Sequence, residues 1–403
     1  MLKLLPKGTS DYQKVIYQNM YYIDKTLLVK DVVENGEVIL YTRPRRFGKT
    51  LNMSMLKAFF EKTEEDKSFY FQDKKVWQDQ RSMEHFSKYP VVFLSFKDCK
   101  MNSYDSMLSS IKENILKEYI RHSYLKKDLG HEDMKRFDRV INKDSDNVFF
   151  SYSISELSKY LKDYYQENVV IILDEYDTPV IQSFLGGFYD EFIAFYASLL
   201  STALKDNGNL FKGIVTGITR VAKESIFSGL NNFTSDSMIS STAFDKFGLT
   251  EEELQEALKY YKIETSYDEA ERWYNGYKIN NTKLYNPFSI IDFLRERGRV
   301  ALYWLNSSSN EFIIKLMKDN LSVAKENLIL LGEGKSIEGC ITDNVVFRDL
   351  KDNESSLWSI LLYSGYLKSD KVLDPLLGKA LISIPNKEIL LCYLLSSSGL
   401  KML

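Results

Sequence analysis

Cysteine and histidine are scarce in this chain of 403 residues. The three cysteines, Cys99, Cys340 and Cys392, are odd in number and widely spaced. They support no disulfide framework and suit a reducing compartment. The three histidines, His85, His122 and His131, make no ligand-like pair with one another or with cysteine, which argues against a structural zinc site. No stretch reaches the roughly 18 consecutive apolar residues of a membrane span. The opening MLKLLPKGTSDYQK has an apolar patch that proline stops before it could form a signal core. Neither sign of charge dominates, since 53 basic and 56 acidic side chains leave a net charge of −3. That removes any global pull toward nucleic acid or anionic lipid, and a local basic patch stays compatible with it. Internal repeats and low-complexity tracts are missing too. A soluble cytoplasmic protein with no membrane partner is expected.

Against these absences stands a rich apolar content, 44% hydrophobic and 14% aromatic, enough for sizeable cores. Four short β-type runs stand out: EVILYT (37–42), PVVFLSF (90–96), NVVIILDE (168–175) and LFKGIVTG (210–217). The middle two are continuous and rich in Val and Ile, as strands buried on both faces of a parallel sheet are. Helical patterns separate them at 51–63, 103–125 and 153–167, and 189–208 reads as one further helix. Strands alternating with helices predict an α/β, doubly wound domain. The charged stretch 126–150 reads as a surface insertion or part of a helical subdomain. After about residue 250 the alternation stops. Thr250 followed by Glu253 spells a capping box that opens an amphipathic helix. Further helices are expected between Asn-Gly and Asn-Pro turns. Near 355 the text changes again, to a buried helix and turn followed by a strand and helix.

The segment EVILYTRPRRFGKTLNMSMLKAFF (37–60) joins a strand to a helix through Arg43, Pro44, Arg45, Arg46, Phe47, Gly48, Lys49 and Thr50. A loop of this kind aims backbone N–H groups at one point, and the helix N-terminus adds positive partial charge. Lys49 is the candidate cation for the β- and γ-phosphates, and the Thr50 hydroxyl a candidate Mg²⁺ ligand. Gly48 permits close backbone approach. The first glycine of G-x-x-x-x-G-K-[ST] should stand at 43, where Arg is found; Pro44 stiffens the turn, and Arg45 and Arg46 add positive charge. Taken alone, a Lys-Thr pair opening an ordinary helix reads equally well.

Some 125 residues after Lys49, VVIILDEYDTP ends a buried strand in Asp174 and Glu175. Such a strand delivers its carboxylates to the sheet edge where ligands bind. Asp174 is the candidate Mg²⁺ holder and Glu175 the candidate that orients the attacking water. A third run, GIVTGITRVAKESIFSGLNN, offers Thr216 or Thr219 as a sensor of the γ-phosphate and Arg220 as a phosphate contact, on the strand expected between the other two. A solvated strand end would carry the same residues.

YYIDKT (21–26), RPRRFGKT, ILDEYDTPV, GIVTGITRVAKESIFSGLNN, WYNGYKI with YNPFSI, and YWLNSSSN together resemble the bacterial AAA-ATPase-like proteins. In these a P-loop ATPase domain precedes a PD-(D/E)XK nuclease-like domain. The likeness runs from about Leu5 to Glu388, and it makes Arg43 a family variant of the loop. It implies a P-loop NTPase parallel sheet flanked by helices (1–248), a mostly helical, winged-helix-like domain (249–350), and a connecting segment with the truncated start of a nuclease-like domain (351–403). It implies ATP and Mg²⁺ as cofactors, with Lys49 and Glu175 as catalytic residues. Asp24, Lys25 and Thr26 are implied to lie beside the nucleotide, with an ordinary helix start as the equal alternative. Trp273 to Tyr277 are read as shaping the packing of the second domain. Glu65-Asp66-Lys67 spells E-x-K without a strand carrying a partner acid, and no DNA cleavage is expected from this chain. The leading reading is ATP hydrolysis used as a switch. The alternatives are a non-hydrolysing, nucleotide-ordered module that binds DNA or a protein through the second domain, and a nuclease-associated defence or mobile-element protein whose nuclease is lost. An oligomer, and an arginine finger from Arg220 or a neighbouring subunit, stay open.

Overall fold

The computed structural model describes residues 2–143, 146–205, 207–221, 233–239, 241–279, 282–304 and 311–397. Parts of two quoted motifs, 222–232 and 305–310, lie outside the described residues. The chain divides into two compact units that interleave in sequence. One comprises Thr26–Tyr41 and Asn52–Ser235, and the other Met1–Lys25, Thr42–Leu51 and Asp236–Leu403.

The first unit is built on a five-strand parallel sheet flanked by helices, the arrangement of a P-loop NTPase-like fold. Its strands are β1 (Val38–Thr42), β2 (Val91–Ser95), β3 (Val169–Asp174), β4 (Leu210–Gly217) and β5 (Phe233–Asp236), in the spatial order β2-β3-β4-β1-β5. All four sequence-predicted strands are present, and β4 does lie between β3 and β1. Every residue of β1 and β3 is buried, which is why those runs carry no polar alternation. The register pairs Ser95 with Asp174, so β2 and β3 end side by side. The helices Tyr104–Arg121, Ser153–Tyr165 and Tyr189–Leu204 cover the sheet. The last approaches β4 so closely that a Cβ at Gly213 would stand 2.7 Å from Leu204 Cδ2. The charged stretch around 126–150 is helical, with helices His131–Ile141 and Asn147–Ser151; Phe137 packs its ring 4.7 Å from that of Tyr119.

β5 has no counterpart in the sequence reading. Phe-Thr-Ser-Asp is four residues long and half-exposed along most of its length, so no apolar run announces it.

The second unit is mostly helical: Glu251–Tyr261, Tyr267–Tyr274, Pro287–Arg295, Glu311–Asp319, Leu321–Gly332, Glu354–Tyr363 and Lys387–Ser397 are its main helices. The capping box is formed, with the Thr250 side chain accepting from the Glu253 N–H and the Glu253 carboxylate accepting from Thr250 N–H. Leu254, Leu258, Tyr274, Ile290 and Phe293 meet in one core. Two small antiparallel sheets complete it. One joins Leu249–Thr250, Thr282–Tyr285 and Tyr277–Ile279, and the other Ile337–Cys340, Lys379–Ser383 and Lys368–Asp374. The Asn-Gly turn leads into a β-hairpin rather than a helix: Tyr277 and Ile279 on one strand and Leu284 and Tyr285 on the other are buried, in runs too short to stand out. Gly276, at φ +118°, lies so close to Pro385 that an added Cβ would fall onto that carbonyl. Among the described residues no helix is long and apolar enough to cross a membrane.

Candidate functional site

In the second unit, the loop from Thr42 to Thr50 turns between β1 and the helix Lys49–Phe60 through two left-handed residues, Arg46 (φ 68°) and Gly48 (φ 81°). An added Cβ at Gly48 would meet nothing within 4 Å, so it is the dihedral that calls for glycine there. Position 43 is not in the left-handed region, and the backbone makes no demand for glycine at it. The Arg43 side chain instead goes inward. Its guanidinium is fully buried, ion-paired with Asp236, and donates to the Ser241 hydroxyl at 2.7 Å and to the Thr42 carbonyl at 2.9 Å. Phe247 stacks below it, 5.0 Å from ring centre to Cζ. Burial pushes the Asp236 carboxyl up, but Arg43, the Ser241 hydroxyl and the Ala243 N–H together hold it below its ordinary range.

Lys49 is buried, and its ammonium donates to the loop's own carbonyls, Arg43 at 3.0 Å and Pro44 at 2.9 Å. Pro44 is buried, and Phe47 packs edge-on to Tyr277 at 5.0 Å while its carbonyl accepts from Gly248 N–H. Arg45 and Arg46 are half-exposed. The Arg46 guanidinium lies 3.8 Å from the centre of the Phe288 ring, and burial, then the neighbouring Arg45 charge, lowers its pKa to about 10. Thr50 stands in the first turn of the helix, half-buried.

In the first unit, Asp174 closes β3 and is fully buried. Ser95 at the end of β2 donates to its Oδ2 at 3.1 Å, and Thr216 on β4 donates to its Oδ1 at 2.8 Å. The Thr216 hydroxyl also accepts from the Glu175 N–H at 3.3 Å. Glu175 itself is held at φ 53°, a left-handed backbone that a non-glycine residue adopts only under constraint. Thr178 Oγ1 donates to its carboxylate at 3.3 Å.

The next two residues brace the loop after β4. Asp177 accepts from the N–H groups of Ile218 (2.7 Å) and Thr219 (3.0 Å), and Tyr176 donates its hydroxyl to the Thr219 carbonyl at 2.8 Å. Gly217 allows this approach, since a Cβ there would stand 2.7 Å from the Tyr176 ring and 2.8 Å from Asp177 Oδ1. Thr219 is buried, and the Arg220 guanidinium lies 4.8 Å from the Phe233 ring centre. Thus Asp174, Glu175 and Thr216 come together, with Thr219 and Arg220 on the adjoining braced loop.

Four residues here escape sequence reasoning: Ser95, Tyr176, Asp177 and Asp236. Of these, only Asp177, the last acid of DEYD, left a trace in the text. The other motif residues make ordinary protein contacts. Lys25 is buried against Glu253 and the Asp245 carbonyl, both at 2.6 Å, while Thr26 Oγ1 accepts from Val76 N–H at 3.2 Å. In the E-x-K stretch, Lys67 pairs with Glu61 at 3.0 Å and Asp66 accepts from Ser68 N–H at 2.9 Å.

A sequence model of the family described as predicted AAA-ATPase matches residues 6–227. The chain is also 23% identical, over 373 residues, to an uncharacterized protein of the vnfD 5′ region of Azotobacter chroococcum mcd 1. That alignment takes in 92% of this chain, which spans 65% of the length of that relative.

Proposed function

The chain belongs to the predicted AAA-ATPase family, and we propose that it binds ATP and hydrolyses it with Mg²⁺, as a nucleotide-driven switch. The observation that carries this reading is the end of β3. There, a fully buried carboxylate is held by hydroxyls from both neighbouring strands, and the next residue, Glu175, has a constrained left-handed backbone. Backbone strain of this kind is kept where surrounding structure over-determines it, and it gathers at working sites.

In this reading the loop's N–H groups and Lys49 bind the phosphates, with Arg45 and Arg46 adding positive charge. Phosphate oxygens would take over the donors that Lys49 spends on the Arg43 and Pro44 carbonyls. Thr50 and Asp174 are the proposed Mg²⁺ ligands. The polar atoms grouped about Asp174 are oxygens, the donors a hard dication accepts. Bound Mg²⁺ supplies neutralisation of phosphate charge. Glu175 orients the attacking water, Thr216 holds both Asp174 and the Glu175 N–H in place, and Thr219 with Arg220 are the proposed γ-phosphate sensors.

The test is binding of a fluorescent ATP analogue, with and without Mg²⁺, by wild type and Lys49→Ala. Wild type is expected to bind, more tightly with Mg²⁺, and Lys49→Ala to bind at least about tenfold more weakly. Equal binding by both proteins would remove Lys49 from the phosphate site. Binding without phosphate release would leave the non-hydrolysing module as the function.

A further inference from the structure

The YNPFSI segment (285–290) carries part of the family likeness, yet nothing in the proposed chemistry uses it. Its side chains are not spent on its own helix alone. Asn286 caps the helix Pro287–Arg295 by accepting from Phe288 N–H at 2.9 Å, and its Nδ2 reaches the Arg45 carbonyl at 3.4 Å. Phe288 offers its ring face to the Arg46 guanidinium at 3.8 Å, and Arg46 is the one non-glycine residue of the loop with a left-handed backbone. Ser289 is fully buried and donates to Glu388 at 2.8 Å. Glu388 also accepts from Trp304 N–H at 2.8 Å, and the Arg46 charge acts on it. Three side chains of this segment, Asn286, Phe288 and Ser289, therefore contact the loop or Glu388 behind it.

We propose that Asn286 and Phe288 are positioning residues for the phosphate loop: they hold the Arg45 carbonyl and the Arg46 guanidinium so that the loop is set for phosphate before nucleotide arrives. Ser289 and Glu388 extend the same contact to the helix Lys387–Ser397, which makes that helix a listener to the loop. The physical basis is preorganisation. A left-handed arginine reverts to commoner dihedrals once its guanidinium is released, and a loop with scattered N–H groups must be reordered at the moment of binding. The long Nδ2–O distance marks Asn286 as the weaker hold and the stacked ring as the stronger one. The effect on ATP rests on the reading of the loop as a phosphate site; the tether itself does not.

The experiment separates the two. Hydrogen exchange of the amides of residues 43 and 45–50 is followed in nucleotide-free wild type, Asn286→Asp, Phe288→Leu and Phe288→Tyr. Asn286→Asp keeps the acceptor that caps the helix and loses the donor to Arg45, so it isolates the tether from the cap. Phe288→Leu is expected to speed loop exchange about tenfold and Asn286→Asp several-fold, with protection elsewhere unchanged and Phe288→Tyr restoring the wild-type rate. ATP affinity is expected to fall in the same order. Loop exchange unchanged in both Asn286→Asp and Phe288→Leu overturns the proposal, whatever the affinities. Faster exchange with wild-type ATP affinity overturns the preorganisation. Faster loop exchange in the variants, together with a wild type that binds no ATP at all, would refute the nucleotide reading and, with it, the positioning role, while leaving the tether visible in the exchange data.

Discussion

Arg43 is buried with Asp236 and cannot be exchanged for the glycine that the usual phosphate loop carries there. Removing one partner of a buried ion pair leaves the other charge uncompensated, at a cost of about 3–5 kcal/mol. Arg43→Gly is therefore expected to lower the urea midpoint sharply, although it restores the commoner motif. A midpoint equal to wild type would mean that the pair contributes nothing. Glu175 tests the opposite relation. At φ 53° glycine is free of the steric penalty that Glu175 bears, so Glu175→Gly is expected to gain about 1 kcal/mol in stability while losing phosphate release. Loss of both stability and turnover would place the constraint elsewhere. Neither Asp236 nor Ser95 could be found beforehand. Asp236 stands 193 residues from Arg43, and a serine at a strand end has no local signature.

Among the elements, the strands that carry the proposed site residues are the legible ones. β2 and β3 are continuous apolar runs because a parallel sheet is buried on both faces, and Asp174 stands at the end of β3, while Thr216 lies near the end of β4, whose run Lys212 and Gly213 interrupt. What stayed hidden was short or polar: β5, and the hairpin between Tyr277 and Tyr285. The helix Lys387–Ser397 carries its own test. Burial raises the Glu388 carboxyl from 4.5 to about 7, against the pull of the Trp304 N–H and Ser289 hydroxyl. The folded protein then keeps this proton where the unfolded chain has lost it. Stability is present below the unfolded pKa, declines as pH rises from about 4.5 to about 7, and is level above that. His122 works in the other direction. Burial, then the Arg121 charge, lowers it to about 3, so stability is gained as pH rises from about 3 to its ordinary 6.5. The difference between wild type and Glu388→Gln isolates the carboxyl: relative to the variant, wild type is expected to lose stability through that window. A flat difference would mean Glu388 titrates normally.

Across the whole molecule, the segment Thr42–Leu51 belongs to the compact unit of Met1–Lys25 and Asp236–Leu403 rather than to that of the sheet strand that leads into it. No local pattern announces this, because it depends on Asn286, Phe288 and Tyr277 meeting loop residues more than 200 positions earlier. A ligand bound only by the folded state stabilises it, by about 2.7 kcal/mol at one hundred times its dissociation constant. MgATP is therefore expected to raise the melting temperature of wild type and to raise that of Lys49→Ala by clearly less. Hydrolysis at the end of β3 is tested by Mg²⁺-dependent phosphate release from saturating ATP by wild type beside Glu175→Gln. Release by wild type is expected, with a loss of about 10²–10⁴-fold in a variant that still binds ATP. Equal release by the two proteins, or none from a wild type that binds ATP, would contradict hydrolysis there.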